Sequence, residues 1–166
     1  MSIFLVANGA MRTTAAFVHV TTGTAIKTML QIRPLVPLQI IEWGFSFDGA
    51  ALATPIRVEL LETGTVFATV TAHVEADIAK VNNPAALAAT VMTLSTTGTG
   101  FTASAEGTIV ATRMLDAPFH ASVLSQPFMK QIPLSTESLC QVGNSVRIRV
   151  TAGAALNMYC YIKLIS

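Results

Sequence analysis

Apolar and polar residues alternate along much of this chain, and the clearest example surrounds its single tryptophan. Between residues 40 and 49, every second side chain is large and apolar, namely Ile41, Trp43, Phe45 and Phe47. Successive side chains of a β-strand point to opposite faces, so these four project from one face. The pattern predicts a central strand whose aromatic residues anchor one buried surface.

The same alternation returns near the end of the chain. One apolar set is Val146, Ile148 and Val150, which alternates with Arg147, Arg149 and Thr151. A second is Met158, Cys160, Ile162 and Leu164, which alternates with Tyr159, Tyr161 and Lys163. This predicts two half-buried antiparallel strands. We interpret Arg147 and Arg149 as part of a solvated face or of a face paired with another subunit.

Turn-forming residues divide the rest of the chain into short segments. Asp48-Gly49 follows the tryptophan strand, and both residue types tolerate left-handed backbone. Strands are predicted over residues 17–21, 25–33, 38–47, 56–61, 66–71, 92–96, 101–105, 108–115, 128–132, 145–151 and 158–164. Short strands between frequent turns predict an all-β fold, an antiparallel β-sandwich of jelly-roll-like type.

One segment, residues 73–90, departs from this pattern. Val74, Ile78 and Val81 have helical spacing, and Pro84 suits the first turn of a helix. We predict an irregular insertion with at most one or two short helices. No repeat or linker divides the chain, so the predicted organisation is an N-terminal arm over residues 1–16 and a single β-sandwich domain over residues 17–166.

Charged residues are scarce in this chain. Of its 166 residues 52% are hydrophobic and 11% are charged, against about 25% charged in typical soluble domains. The longest uncharged run, residues 81–105, contains asparagine, proline and glycine and does not resemble a membrane-spanning helix. We therefore expect the apolar surface to be hidden in a homo-oligomer and not in a membrane.

The charge balance argues against nucleic acid as a partner. The formal net charge is +1, and no basic cluster stands out. The apolar run at residues 3–7 is short and follows no basic residue, which does not fit a signal peptide. We expect synthesis and assembly in the cytoplasm.

Groups that could carry catalysis or hold a metal are few and scattered. Cys140 and Cys160 form no CxxC pair, and we interpret them as buried thiols, with a disulfide as the alternative. Glu59 and Glu62 fall on opposite faces of a strand and make a poor acid–base pair. We expect that the chain is not an enzyme and that it binds no metal and no cofactor. Three further residues are interpreted as surface or interface positions: His19, His73 and His120.

Four segments together resemble a group of small virion proteins of tailed bacteriophages. They are residues 23–32, 40–49, 55–61 and 146–152, which contain GTAIKTMLQ, EWGFSFDG, VELL and RIRVTA. The order is similar to a "GTAxKTxLQ … EWGxSFDG … VELL … RIRVTA" pattern in head decoration, or cement, proteins. The EWGxSFDG part is the most specific.

This resemblance implies a β-sandwich subunit that forms a homotrimer on the exterior of the capsid. The trimer would clamp neighbouring copies of the major capsid protein after assembly in the host cytoplasm. Glu42 and Ser46 would point away from the core, where they could serve an intersubunit hydrogen bond. The structural core motif would consist of Trp43, Phe45 and Phe47, with the turn at Asp48 and Gly49.

Residues at two places in the chain are candidates for an interface. Ile3, Phe4 and Leu5 are expected to lie against a neighbouring subunit or the capsid, because an apolar terminus needs cover. The others are Arg147, Arg149, Tyr159 and Tyr161.

Two alternative functions remain open. One is another virion component, such as a tail or fibre knob. The other is a carbohydrate-binding β-sandwich in which Tyr159 and Tyr161 stack on sugar rings, although tyrosine is also favoured at subunit interfaces.

Overall fold

Most of the regular structure in this protein is β-strand. The computed structural model describes residues 1–11, 14–49, 54–108, 112–121, 126–133 and 135–166. Its strands are β1 (Ile3–Ala7), β2 (Val20–Thr21), β3 (Lys27–Ile32), β4 (Leu38–Asp48), β5 (Ile56–Thr63), β6 (Thr69–Ala72), β7 (Ala79–Lys80), β8 (Gly100–Ala105), β9 (Thr112–Asp116), β10 (Phe119–His120), β11 (Phe128–Gln131), β12 (Ser138–Cys140), β13 (Ser145–Thr151) and β14 (Asn157–Ile165).

These strands form two antiparallel sheets. The first sheet has the order β11-β4-β14-β1-β7, with β12 also beside β4 and β2 beside β14. The second has the order β10-β5-β13-β3-β8-β6, with β9 also beside β5. One hydrophobic core draws buried side chains from both sheets. The predicted all-β antiparallel sandwich is confirmed.

The tryptophan strand lies at the centre of that core. Trp43 is fully buried, and its ring centroid lies 5.7 Å from that of Phe45 and 5.1 Å from that of Phe128. Phe47 continues the row, 5.6 Å from Phe45. The inward sets predicted for β13 and β14 are also buried: Val146, Ile148, Val150, Met158, Cys160, Ile162 and Leu164.

The prediction is wrong at Ile41, which is only partly buried. The pairing of β4 with β14 shifts register at this point, so that Leu164 lies opposite Ile40 while Lys163 lies opposite Glu42. The extra residue forms a β-bulge, which reverses the inward and outward alternation. Ile40 is therefore the residue that reaches the core.

β1 is an interior strand of the first sheet, with β14 on one side and β7 on the other. Phe4 lies opposite Leu164, and both Phe4 and Val6 are buried in the chain's own core. The predicted N-terminal arm is therefore wrong over residues 3–7. These residues are apolar because they form a buried strand, which needs no neighbouring subunit to cover Phe4.

The insertion agrees with the prediction, whereas several strands differ from it. Two short 3₁₀ helices, Glu75–Asp77 and Ala88–Thr90, confirm the insertion at residues 73–90. The predicted strand at 92–96 is wrong, since Met92 forms only an isolated bridge with Pro34. Part of the predicted strand at 108–115 falls on residues 109–111, outside the described residues. The strands β1, β7, β10 and β12 have no counterpart in the prediction.

The chain covers part of the outer face of its own second sheet. The side-chain amide of Gln31 donates to the carbonyl oxygens of Ala68 and Gly98 and accepts a hydrogen bond from the Ala68 backbone N–H. Ala68, Val70 and Ala103 form a second small apolar cluster. Polar residues that point away from the main core can therefore be buried on this face.

Candidate interaction face

The outer face of the first sheet brings together the aromatic candidates from the sequence. Tyr159 and Tyr161 project from β14, directly opposite Ser46 and Gly44 of β4. Leu5 projects beside them from β1, opposite Lys163. We call this the tyrosine face, defined by Leu5, Phe17, Met129, Tyr159 and Tyr161.

Aromatic contacts hold this face in a defined shape. The rings of Tyr159 and Tyr161 are 5.8 Å apart and tilted by 34°. Phe17 makes an edge-to-face contact with Tyr159, with centroids 5.3 Å apart. Two shallow depressions result, one of about 380 Å³ beside Met129 and both tyrosines, the other of about 190 Å³ between Leu5, Phe17 and Tyr159. Both have mainly apolar walls, which suits contact with another protein surface.

Gly44, in the middle of the EWGxSFDG motif, makes room for this arrangement. A Cβ atom at Gly44 would lie 2.6 Å from the carbonyl oxygen of Phe128 and 2.9 Å from Cε1 of Tyr161. Any other residue would displace the tyrosine ring or the neighbouring strand β11. The glycine therefore allows the Tyr161 ring to lie against β4.

Glu42 forms a polar anchor at the edge of the tyrosine face. Its Oε1 accepts hydrogen bonds from the Tyr161 hydroxyl at 2.8 Å and from Lys163 Nζ at 3.0 Å. Gln131 Nε2 donates to Oε2 at 3.2 Å. Burial alone would raise the pKa of the Glu42 carboxyl, but these hydrogen bonds outweigh it and lower the pKa below its usual value. Glu42 points away from the core, as the resemblance implies, yet the partners found here belong to the same chain.

We expect Glu42→Gln to lower the free energy of unfolding by about 2 kcal/mol at pH 7, because charge-assisted hydrogen bonds to Tyr161 and Lys163 are lost. A carboxyl whose pKa is lowered by folding contributes stability above its unfolded pKa, and this contribution is lost as the pH falls through the folded pKa. The difference between wild type and variant should therefore shrink below pH 4.5, the usual value for this group. Urea unfolding at pH 7 and pH 3.5 measures both differences.

Asp48→Asn serves as the control, since the Asp48 side chain is mostly exposed. It should change the free energy of unfolding by no more than about 0.5 kcal/mol at either pH. A Glu42→Gln variant that keeps wild-type stability at pH 7 would contradict the anchoring role.

The structure separates the other predicted interface residues. Ile3, Leu5, Tyr159 and Tyr161 lie on or beside the outer face of the first sheet, each partly buried. Phe4 is directed into the core, so it is not available for an interface. Arg147 and Arg149 belong to the second sheet.

Arg147 is fully buried within its own chain, so its interpretation as a solvated or intersubunit residue is wrong. Its Nη1 donates to the carbonyl oxygen of Glu106 at 3.0 Å and its Nη2 to that of Val66 at 2.6 Å. The Glu106 carboxylate lies 3.9 Å away and also accepts hydrogen bonds from Thr28. Burial lowers the pKa of Arg147, and Glu106 opposes this effect.

Arg149 has an ionic partner within the chain as well. Its Nε donates to Glu59 Oε2 at 2.9 Å, while Arg57 Nη2 contacts Oε1 of the same carboxylate at 2.8 Å. Glu62 lies opposite Val146 in the sheet, whereas Glu59 lies opposite Arg149. The two glutamates thus face different sides of β5, as predicted, and do not act as a pair.

The two cysteines are buried free thiols, which confirms their interpretation. Burial raises the pKa of Cys140 to about 12, with a smaller contribution from Glu62, and burial also raises the pKa of Cys160. Neither thiol is therefore present as a reactive thiolate at neutral pH.

The histidines occupy three different environments. His19 is exposed and lies 3.7 Å from Asp48, while His120 packs against the rings of Phe45 and Phe47. His73 is buried, so its interpretation as a surface or interface residue is wrong. Within the described ranges, no three side chains of histidine, cysteine, aspartate or glutamate are placed to hold a metal ion.

His73 connects two parts of the fold. Its Nε2 lies 2.9 Å from the carbonyl oxygen of Ala7, which can only accept, so Nε2 carries the proton. Burial lowers the pKa of His73, while Asp77, 3.7 Å from Nδ1, opposes this shift. The neutral ring thus ties the end of β1 to the insertion.

Several residues of the tyrosine face have no strong signal in the sequence. Phe17 lies outside any long strand, and Met129 is one exposed residue of the short strand β11. Only the alternation in β14 identifies this face from the sequence, through Tyr159 and Tyr161. The edge-to-face contact of Phe17 depends on the path of a loop.

Comparison of the chain with known protein families, with curated proteins and with solved structures finds no significant match. The described part of the chain also contains no helix with the length and apolar character that crossing a membrane requires.

Proposed function

We propose that this protein is a decoration protein of a tailed-bacteriophage head, which self-associates and binds the outer surface of the major capsid protein. The proposal combines the EWGxSFDG-centred sequence pattern with the tyrosine face. Binding would be adhesive, since a subunit that contacts several neighbours gains avidity from each further contact.

The observation that carries the proposal is a mainly apolar face on which Glu42, beside Tyr161, is already paired with Lys163. Covering this face with another protein would therefore bury apolar side chains such as Met129 without leaving that carboxylate unpaired. Such a face fits the contact between copies in a homotrimer.

The motif residues have structural roles that suit a rigid subunit. Trp43, Phe45 and Phe47 fill the core, and Gly44 lets Tyr161 lie across the sheet. The motif would then be retained for the shape of the sandwich and of the tyrosine face, not for a reaction.

Two measurements test this proposal. Native mass spectrometry determines whether the chain forms a trimer, and co-sedimentation determines whether it binds expanded heads of the major capsid protein encoded in the same genome. Met129→Asp places a charge on the tyrosine face without touching the core, and we expect it to weaken self-association at least tenfold. Val142→Asp introduces the same charge at an exposed turn position. It should leave self-association unchanged.

A wild-type chain that stays monomeric and does not bind heads would overturn the proposal. Equal self-association of the two variants would show that the tyrosine face is not the contact between copies.

The carbohydrate-binding alternative receives less support from this geometry. The Tyr161 hydroxyl is engaged by Glu42, and the edge of Phe17 packs against Tyr159. The two rings are tilted and do not form a flat platform. Specific binding on a glycan array would favour this alternative.

A further inference from the structure

Phe119 is an exposed aromatic residue on the second sheet, opposite to the tyrosine face. Its side chain is 71% exposed. The next residue, His120, pairs with Ile56 and points inward against Phe45, so Phe119 points outward, beside its pairing partner Arg57. A large apolar side chain is thus displayed next to a guanidinium group.

The charges beside Phe119 are not balanced. Among the described residues, Glu59 is the one acidic partner of both Arg57 and Arg149, which gives this cluster one excess positive charge. The neighbouring pair on the same face, Arg147 with Glu106, is balanced. The surface around Phe119 is therefore basic, although the whole chain carries a net charge of only +1.

The two guanidinium groups retain hydrogen-bonding capacity. In the part of the chain that the structure describes, each guanidinium contacts Glu59 through one of its nitrogens, while a guanidinium has five N–H donors. The Arg57 side chain is 43% exposed and that of Arg149 is 17% exposed, so Arg57 presents most of the accessible donor surface. Arginine donors in this arrangement match a carboxylate, which they can bind in a bidentate manner.

We propose that Phe119, Arg57 and Arg149 form a docking patch for an acidic segment on the exterior of the major capsid protein. A partner carboxylate would neutralise the excess charge, and an apolar pocket beside it would take the Phe119 ring. Aromatic and arginine side chains are the residue types that dominate binding energy at protein interfaces. This inference rests on the proposed function and assigns the capsid contact to the second sheet.

A second copy of this chain is a poorer partner for the patch. The chain has nine acidic residues, and six of them are already paired with a lysine or arginine of their own chain: Glu42, Glu59, Glu62, Glu75, Glu106 and Asp116. Charge complementarity therefore favours a different protein.

Binding of wild type and variants to expanded heads, measured by co-sedimentation at 50 and 300 mM salt, tests the patch. We expect Phe119→Ala to raise the Kd at least tenfold and Arg57→Gln to raise it about fivefold with a weaker salt dependence. Val142→Ala, at an exposed position in the turn before β13, is the control and should stay within twofold of wild type. Urea unfolding and native mass spectrometry verify that each variant keeps its fold and its oligomeric state.

Four outcomes separate the hypotheses. Weaker head binding by folded, normally assembled variants would support the patch. Unchanged binding by Phe119→Ala and Arg57→Gln would overturn the patch and leave the proposed function intact. Loss of self-association in these variants would also overturn it, because the patch would then join copies of the chain. Wild type that does not bind heads at either salt concentration would overturn the proposed function and the patch together.

Discussion

Trp43→Ala is expected to lower the free energy of unfolding by about 3–5 kcal/mol, the usual range for removing a large aromatic residue from a core. Trp43 is fully buried and packs against Phe45 and Phe128. Because these rings belong to β4 and its edge neighbour β11, the cavity would loosen both strands. A typical domain has about 5–15 kcal/mol of stability, so the loss is a large fraction of the total. Urea unfolding followed by far-UV circular dichroism measures it.

The matched control is Phe119→Ala, which removes an aromatic side chain of the same class from an exposed position. It should change the free energy of unfolding by no more than about 0.5 kcal/mol. A Trp43→Ala variant that loses less than about 1 kcal/mol would show that Trp43 does not occupy a tightly packed core.

Arg147→Ala is expected to cost about 3–5 kcal/mol, because one partner of a buried ionic network is removed. The carbonyl oxygens of Val66 and Glu106 would lose their donors, and the Glu106 carboxylate would lose its nearby positive charge. The segments that cover the second sheet would be held less firmly. Equilibrium unfolding in urea provides the measurement, with Trp43 fluorescence as a native reporter.

One further variant separates charge from packing at this position, and a second provides a control at a surface ion pair. Arg147→Met fills most of the volume without a buried charge, and it should lose less stability than Arg147→Ala. Lys130→Met removes the half-exposed partner of Asp116 and should cost no more than about 1 kcal/mol. Equal losses for Arg147→Ala and Lys130→Met would contradict the buried role of Arg147.

Local alternation predicted the parts of the fold where one strand face is buried and the other is not. The boundaries of β13 agree with the prediction, and those of β14 differ by one residue at each end. Ile41 could not be predicted correctly, because the bulge depends on the register between β4 and β14. The run Ile3–Ala7 was ambiguous, since a five-residue apolar segment fits a buried strand as well as an exposed arm.

The candidate site was predicted only in part, for the same physical reason. Alternation places Tyr159 and Tyr161 on one outward face, and this placement agrees with the structure. The burial of Arg147 depends on Val66 and Glu106, which are 81 and 41 residues away in the sequence. Alternation assigns a side chain to a face of a strand, but it contains no information about which distant segment covers that face.

The position of β1 has a consequence for how the protein is made. Its neighbour β14 is separated from it by about 150 residues of sequence, as the contact of Phe4 with Leu164 illustrates. During translation, Phe4 and Val6 stay without β14, their longer sheet partner, until residues 157–165 have left the ribosome. Folding of the first sheet is therefore expected to finish only after residues 157–165 have been made and to be slow, on the order of milliseconds to seconds, as in other sandwiches with distant strand pairs. In the interval, the emerging polypeptide exposes the apolar strand β1, to which a chaperone would bind.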